Sequence, residues 1–272
     1  MSEREYSWIA PEYGPLYDDF KPERLAPEIE ASGVTSSVLV QAADTYEDTF
    51  YMLDVAAHSD FVVGVVGWLP FERPRESSAA LELLKKNPYI KGFRNLSHDY
   101  SNPKYESDPT WILRPAVLET IGLIEKAGLS FDYIAINGDH IKNVPMLAQN
   151  FPKLKIVIDH FAKPDIAGKV MEPWATLMAE CATYPNVFAK LSGLNTASSP
   201  DWSFSDWQPY VDHIIGTYGV DRTMMGGDWP VCILSGDYVK VWKAQLEVIA
   251  KYSEVDQEWL CYKTAEKFYN LK

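Results

Sequence analysis

Met224-Met225-Gly226-Gly227-Asp228-Trp229-Pro230-Val231-Cys232 carries an apolar run into a carboxylate and stops it there. The two glycines let the backbone bend tightly or approach a ligand closely. Pro230 cannot donate to a sheet ladder. The pattern predicts a short strand over 223–227 that delivers Asp228 at its C-terminal tip, with the Trp229 indole beside it. In a parallel α/β sheet that end is where ligands bind. Asp also caps turns and helices, so position alone leaves both roles open for Asp228.

Runs of the same kind precede it. The β-rich segments 37–41, 61–68, 90–94, 130–135, 155–160 and 187–192 read as strands. Between them lie segments with helical spacing: 22–32, 45–58, 77–86, 111–127, 140–150, 173–183 and 207–218. In the first, Leu25 and Ile29 share a face; in the second, Phe50, Leu53 and Ala57 recur at helical intervals. Two more helices, 238–251 and 256–269, come after the last strand. Near-continuous apolar strands alternating with helices specify a parallel sheet covered by helices. No linker divides the chain, so 1–272 reads as a single domain, a TIM-type (β/α) barrel. A doubly wound open sheet is the weaker choice, because Val40-Gln41-Ala42-Ala43-Asp44 is not a Gly-rich phosphate loop.

The strand count is seven, not eight. The chain opens with a loop over 1–20 and then a helix, which is how a barrel unit continues after its first strand. The barrel is therefore expected to lack the first strand of the usual eight. Exposed strand edges invite pairing with other chains, so residues 1–20 or a neighbouring subunit are expected to cover the gap. That leaves room for a homo-oligomer.

Charge narrows the partners. Lys and Arg number 25 against 38 Asp and Glu, a net charge of −13. Nucleic acid and anionic membrane both favour basic surfaces and are not expected as partners. The stretch Met1-Ser2-Glu3-Arg4-Glu5 is acidic with no apolar core after it, so a signal peptide is not expected there. No apolar run is long enough to span a bilayer. Three widely spaced cysteines, Cys181, Cys232 and Cys261, fit a reduced cytoplasmic setting.

The strand tips bring together Gln41, Trp68, Arg94 with Asn95, Tyr133, His160, Lys190 with Ser192, and Asp228 with Trp229. A carboxylate can take a proton from water and an imidazole can relay one. Arg94 and Lys190 can hold an anion or a developing oxyanion. That set suits hydrolysis of an activated carbonyl. Each residue also has a plainer role: His160 as a hydrogen-bonded core residue, Arg94 paired with an acid, and Lys190 meeting a carboxylate because a buried unpaired ammonium is costly. Trp68, Tyr133 and Trp229 fit barrel-top packing as well as a substrate platform. His58, His98, His140 and His213 fall on helices or loops and default to solvated positions.

Val157-Ile158-Asp159-His160-Phe161-Ala162-Lys163-Pro164, Ala189-Lys190-Leu191-Ser192-Gly193 and Gly227-Asp228-Trp229-Pro230-Val231 together resemble the amidohydrolase-related sugar lactonases. That group includes L-fucono- and L-rhamnono-lactonases and extends to 2-pyrone-4,6-dicarboxylate lactonases. Gly64-Val65-Val66-Gly67-Trp68, Lys91-Gly92-Phe93-Arg94 and Trp111-Ile112-Leu113-Arg114-Pro115 fit the same pattern, and the resemblance runs from about Tyr6 onward. It implies a (β/α)₈ barrel that opens a lactone with water. By the resemblance, Asp228 is the general base, His160 lies beside the substrate carbonyl, and Arg94 binds a polar or anionic part of the substrate. Trp68, Tyr133, Lys190 and Trp229 complete the expected substrate contacts.

One feature of the pattern is missing. The family's first strand ends in His-x-His, and this sequence contains none. One His and one Asp make a poor transition-metal site. No tightly bound zinc or other cofactor is expected in this chain, while a longer form supplying those imidazoles would admit a divalent metal. A truncation and a mis-assigned start would both give this sequence. The expected partner is a small lactone or sugar acid. The expected activity is lactone hydrolysis, with a non-catalytic sugar-acid binder as the alternative.

Overall fold

The computed structural model describes residues 6, 8, 9, 11–96 and 108–271. Among the described residues seven strands run in chain order: β1 Ser37–Val40, β2 Val62–Gly67, β3 Ile90–Arg94, β4 Ser130–Tyr133, β5 Ile156–Ile158, β6 Val187–Leu191 and β7 Thr223–Met225. They form one sheet in that same order, every neighbour parallel. Helices cross over between them, as parallel pairing requires. The sheet curls into a TIM-type barrel wall with β1 and β7 as its edges among the described residues.

Alternation along the strands divides the apolar side chains between two layers. One set packs between sheet and helices and includes Val65, Phe93, Phe131, Ile156, Ile158, Ala189 and Leu191. The other fills the inside of the ring: Val66, Val157, Phe188 and Met224. Phe268 and Tyr269, from the C-terminal helix Thr264–Tyr269, join this inner set. Phe268 meets Phe188 edge-to-face at 4.8 Å. Lys155, at the start of β5, donates to the Lys267 carbonyl at 3.1 Å and to that of Phe268. The C-terminal helix therefore plugs the ring at the strands' N-terminal ends and leaves the other end open.

The described residues before the first helix run from the β1 edge to the β7 edge at the open end. Tyr6 donates to Asp48 at 2.9 Å and Trp8 Nε1 to the Ala42 carbonyl at 2.6 Å, both just beyond β1. Pro11–Leu16 then packs against Val231–Ser235 beyond β7. Phe20 sets its ring edge-on to Trp229 at 5.3 Å. None of the described residues before 21 is a strand. The helix Pro22–Ala31 closes the outer layer against Tyr238–Ile249.

Several elements differ from the sequence reading. The single helix expected over 111–127 is a turn, Trp111–Leu113, followed by the helix Pro115–Lys126. The reason is Pro115, which drives Arg114 to extended backbone (φ −62°, ψ 141°). The helix expected over 140–150 is two pieces, Gly138–Ile141 and Val144–Asn150. Helix Tyr46–His58 buries Thr49, Met52, Leu53 and Ala56, so Phe50 is 58% exposed rather than inward. His140 is buried, not solvated, and its Nδ1 accepts from the Ile136 amide at 3.3 Å. His98 lies outside the described residues. No helix among the described residues is long and apolar enough to cross a membrane.

Candidate active site

β5 ends at Ile158, two residues earlier than expected, and the backbone beyond it is unusual. His160, Phe161, Ala162 and Lys163 all have positive φ, between 51° and 58°. Left-handed backbone costs an L-residue about 1–2 kcal/mol and is rarely repeated. Such strain persists only where the surroundings over-determine it. Here Phe161 is fully buried and its carbonyl accepts from Trp174 Nε1 at 2.6 Å. The turn carries the His160 ring over the end of β6.

There His160 Nδ1 lies 2.7 Å from Ser192 Oγ. On its other side Nε2 faces Asp228 Oδ1 at 3.6 Å. The His160 and Asp228 side chains are 17% and 12% exposed, so both reach solvent. Asp228 has φ +50°, and its Oδ2 is buried with no hydrogen-bond partner. Gly193 (φ +63°) lies against both groups. A Cβ there would fall 2.7 Å from Asp228 Oδ2 and 2.9 Å from His160 Nδ1. Burial lowers the His160 pKa from its ordinary value, against the pull of Asp228 and Asp159.

Below this pair runs a chain of buried charges. Arg94 meets Asp159 at 2.8 Å, Asp159 meets Lys190 at 2.7 Å, and Lys190 meets Asp132 at 2.6 Å. Tyr269 from the C-terminal plug donates to Asp132 at 2.5 Å. The Arg94 guanidinium also donates to the Gln41 side chain at 3.0 Å and to the Gln41 carbonyl. Burial opposes the Asp159 charge, but Lys190 and Arg94 outweigh it and hold that carboxyl well below the usual range. Burial likewise opposes the Lys190 charge, which Asp132 and Asp159 together hold on the ammonium. Burial and Asp159 push Asp132 up against the pull of Lys190.

Of the residues expected at the site, Asp228 and His160 are adjacent. Arg94 and Lys190 lie inside the ring, engaged by Asp159, Asp132 and Gln41. Trp68 is at the mouth, donating to Asn95 at 3.1 Å, and Trp229 is half-buried beside Asp228. Tyr133 does not reach the mouth. It is 2% exposed, packs in the layer between sheet and helices, and donates to the His140 carbonyl at 3.1 Å. Adjacent strand residues face opposite ways, so Asp132 inside puts Tyr133 outside. Sequence reading passes over Asp132, although a charge within a strand is a signal, and gives Gly193 no role at the site.

The parallel α/β ring thus carries a carboxylate–imidazole pair above its strand ends. The chain belongs to the amidohydrolase family, whose model matches residues 3–271. It is 36% identical over 238 residues to an L-fucono-1,5-lactonase of Burkholderia ambifaria, spanning 88% of this chain and 79% of that protein. It is 23% identical over 207 residues to an L-rhamnono-gamma-lactonase of Scheffersomyces stipitis, spanning 67% of this chain and 59% of that protein. A solved amidohydrolase from Burkholderia multivorans superposes with TM-score 0.89 at 24% identity, over 98% of this chain and 94% of that one. A zinc-bound crystal form of an amidohydrolase from the same organism gives 0.88.

That zinc makes metal binding worth testing against these side chains. Among the described residues no group of three or more His, Cys, Asp or Glu converges. His160 and Asp228 offer two donors, and the charge of neighbouring Asp159 is already matched by Arg94 and Lys190. A catalytic zinc takes three protein ligands. The set does not fit one.

Proposed function

We propose that the protein hydrolyses a sugar-acid lactone of the L-fucono- or L-rhamnono-lactone type, with Asp228 as general base. The observation that carries the reading is Asp228 at the open end of the ring, 3.6 Å from His160 Nε2, with both side chains reaching solvent. A carboxylate that reaches solvent beside an imidazole can take a proton from an attacking water. The family and the names of the relatives agree with it.

Asp228 takes a proton as the water oxygen attacks the lactone carbonyl carbon. We assign the Ser192 hydroxyl as donor to His160 Nδ1, which places the imidazole proton on Nε2, facing the substrate carbonyl. The tetrahedral oxyanion then accepts from Nε2–H. Collapse breaks the bond to the ring oxygen. That oxygen takes the proton held by Asp228, giving the open-chain hydroxy acid, which ionises. Trp68 and Trp229 supply apolar walls to the mouth. Arg94 acts by fixing Asp159, and through it the turn that bears His160.

The test is proton release from L-fucono-1,5-lactone. Asp228→Asn should lose about 10²–10⁴ in kcat, the usual contribution of a general base, with its melting temperature kept. A second reading, a sugar-acid binder without turnover, is favoured by the absent His-x-His. It would be established by stabilisation on adding the lactone while its hydrolysis ran no faster than in buffer.

A further inference from the structure

Among the described residues near the mouth, Lys163 differs from the cations inside the ring. Arg94 and Lys190 are matched by Asp159 and Asp132 inside the ring. Lys163 is not. It is half-buried, no carboxylate among the described residues pairs with it, and its ammonium donates to the Thr196 hydroxyl at 3.0 Å. The left-handed turn that lifts His160 over β6 ends on Lys163, so one strained element sets both side chains. The Lys163 charge is felt at the His160 ring.

Thr196 ties this cation to the catalytic pair and to a cleft. Its hydroxyl donates to the Gly193 carbonyl at 2.9 Å, and Gly193 touches both Asp228 and His160. Beyond Thr196 a cleft of about 470 Å³ opens between the loops that come after β6 and β7. Its walls include the hydroxyls of Ser198 and Ser235, and Lys240 lies at its rim; no acidic residue lines it. In a chain of net charge −13, a cleft lined by Lys240 and by no acid, and joined through Thr196 to Lys163, favours an anion bearing hydroxyls.

We propose that Lys163, braced by Thr196, is the contact for the carboxylate that lactone opening creates, and that the adjoining cleft holds the polyhydroxylated remainder of that acid. This rests on the lactonase reading for the identity of the ligand. The substrate ring is neutral and the product is an anion, so the ammonium grips the second more tightly than the first. Product release is thereby tied to Lys163 rather than to Arg94.

The experiment is calorimetric titration with L-fuconate, the open acid, and with L-fucitol, the polyol of the same carbon chain without a carboxylate. Lys163→Met should weaken L-fuconate by at least about tenfold, the scale of a charge-assisted hydrogen bond. Lys163→Arg should restore most of it. L-fucitol should bind both variants as it binds the parent chain. Thr196→Val should weaken L-fuconate by a smaller factor, since it removes the brace and keeps the charge. An unchanged L-fuconate affinity in Lys163→Met, or an equal loss for L-fucitol, overturns the subsite. The lactonase reading fails separately. If no lactone turns over but L-fuconate binding still depends on Lys163, the subsite stands. If lactones turn over and residue 163 leaves L-fuconate affinity untouched, only the subsite falls.

Discussion

Arg94, Asp159, Lys190 and Asp132 contact one another at 2.6–2.8 Å inside the ring, whereas His160 and Asp228, above them at the mouth, stand 3.6 Å apart. In the first group two cations face two carboxylates, and each is held by at least one partner of opposite charge. In the second, acid and imidazole are beyond hydrogen-bond distance of each other, both side chains reach solvent, and the imidazole leans away from its ordinary basicity. The two groups share one turn, since Asp159 and His160 are consecutive. The difference teaches how to tell framework from chemistry in this barrel. Completed pairs hold the strand ends in place, and the incomplete pair is where a ligand finishes the set.

The sharpest way to break that distinction is Lys190→Met. It leaves Asp132 and Asp159 buried and facing each other without the shared cation. Losing one partner of a buried pair costs about 3–5 kcal/mol, and the loss should appear in urea unfolding. Adding Asp132→Asn to Lys190→Met should recover part of it by removing one of the stranded charges. If Lys190→Met loses catalysis but less than about 1 kcal/mol of stability, the inner group is not a framework and Lys190 belongs with the chemistry. Asp228→Asn is the mirror case, with activity lost and stability kept.

The sequence shows the framework in outline and the site only in part. Strand runs such as 61–68 and 187–192 are legible because burial on both faces leaves little but apolar residues. Counting them gives the seven strands that the described residues form. Asp228 is legible because glycine and proline fix where its strand stops. Tyr133 is misplaced when nearness to a strand tip is weighed and parity is not; Asp132, one residue earlier, marks the inward face. The left-handed turn at 160–163 is not legible at all. It contains no glycine, and its backbone is imposed by contacts such as that of Trp174 with Phe161. Nor is the plug, because Tyr269 reaches Asp132 across 137 residues of chain.

The finest test of the comparison is Ser192→Ala, which touches the incomplete pair and spares the complete one. The Ser192 hydroxyl, as assigned, donates to His160 Nδ1 and so favours the neutral ring. Burial already lowers the His160 pKa from the ordinary 6.5. The folded chain therefore takes up this proton less readily than the unfolded chain does. As pH falls through 6.5, the unfolded state gains protons first, so the stability tied to His160 is present above that value and lost below it. Activity should track the neutral form, holding through pH 6.5 and declining only in more acid solution. Removing the Ser192 donor leaves the neutral ring less favoured, and the acid limb of kcat/KM should move up toward 6.5. The rate at pH 8 should fall by about tenfold or less, the worth of one neutral hydrogen bond. An acid limb that stays in place would mean that Ser192 merely packs against the ring, and that the neutral imidazole is set by burial alone.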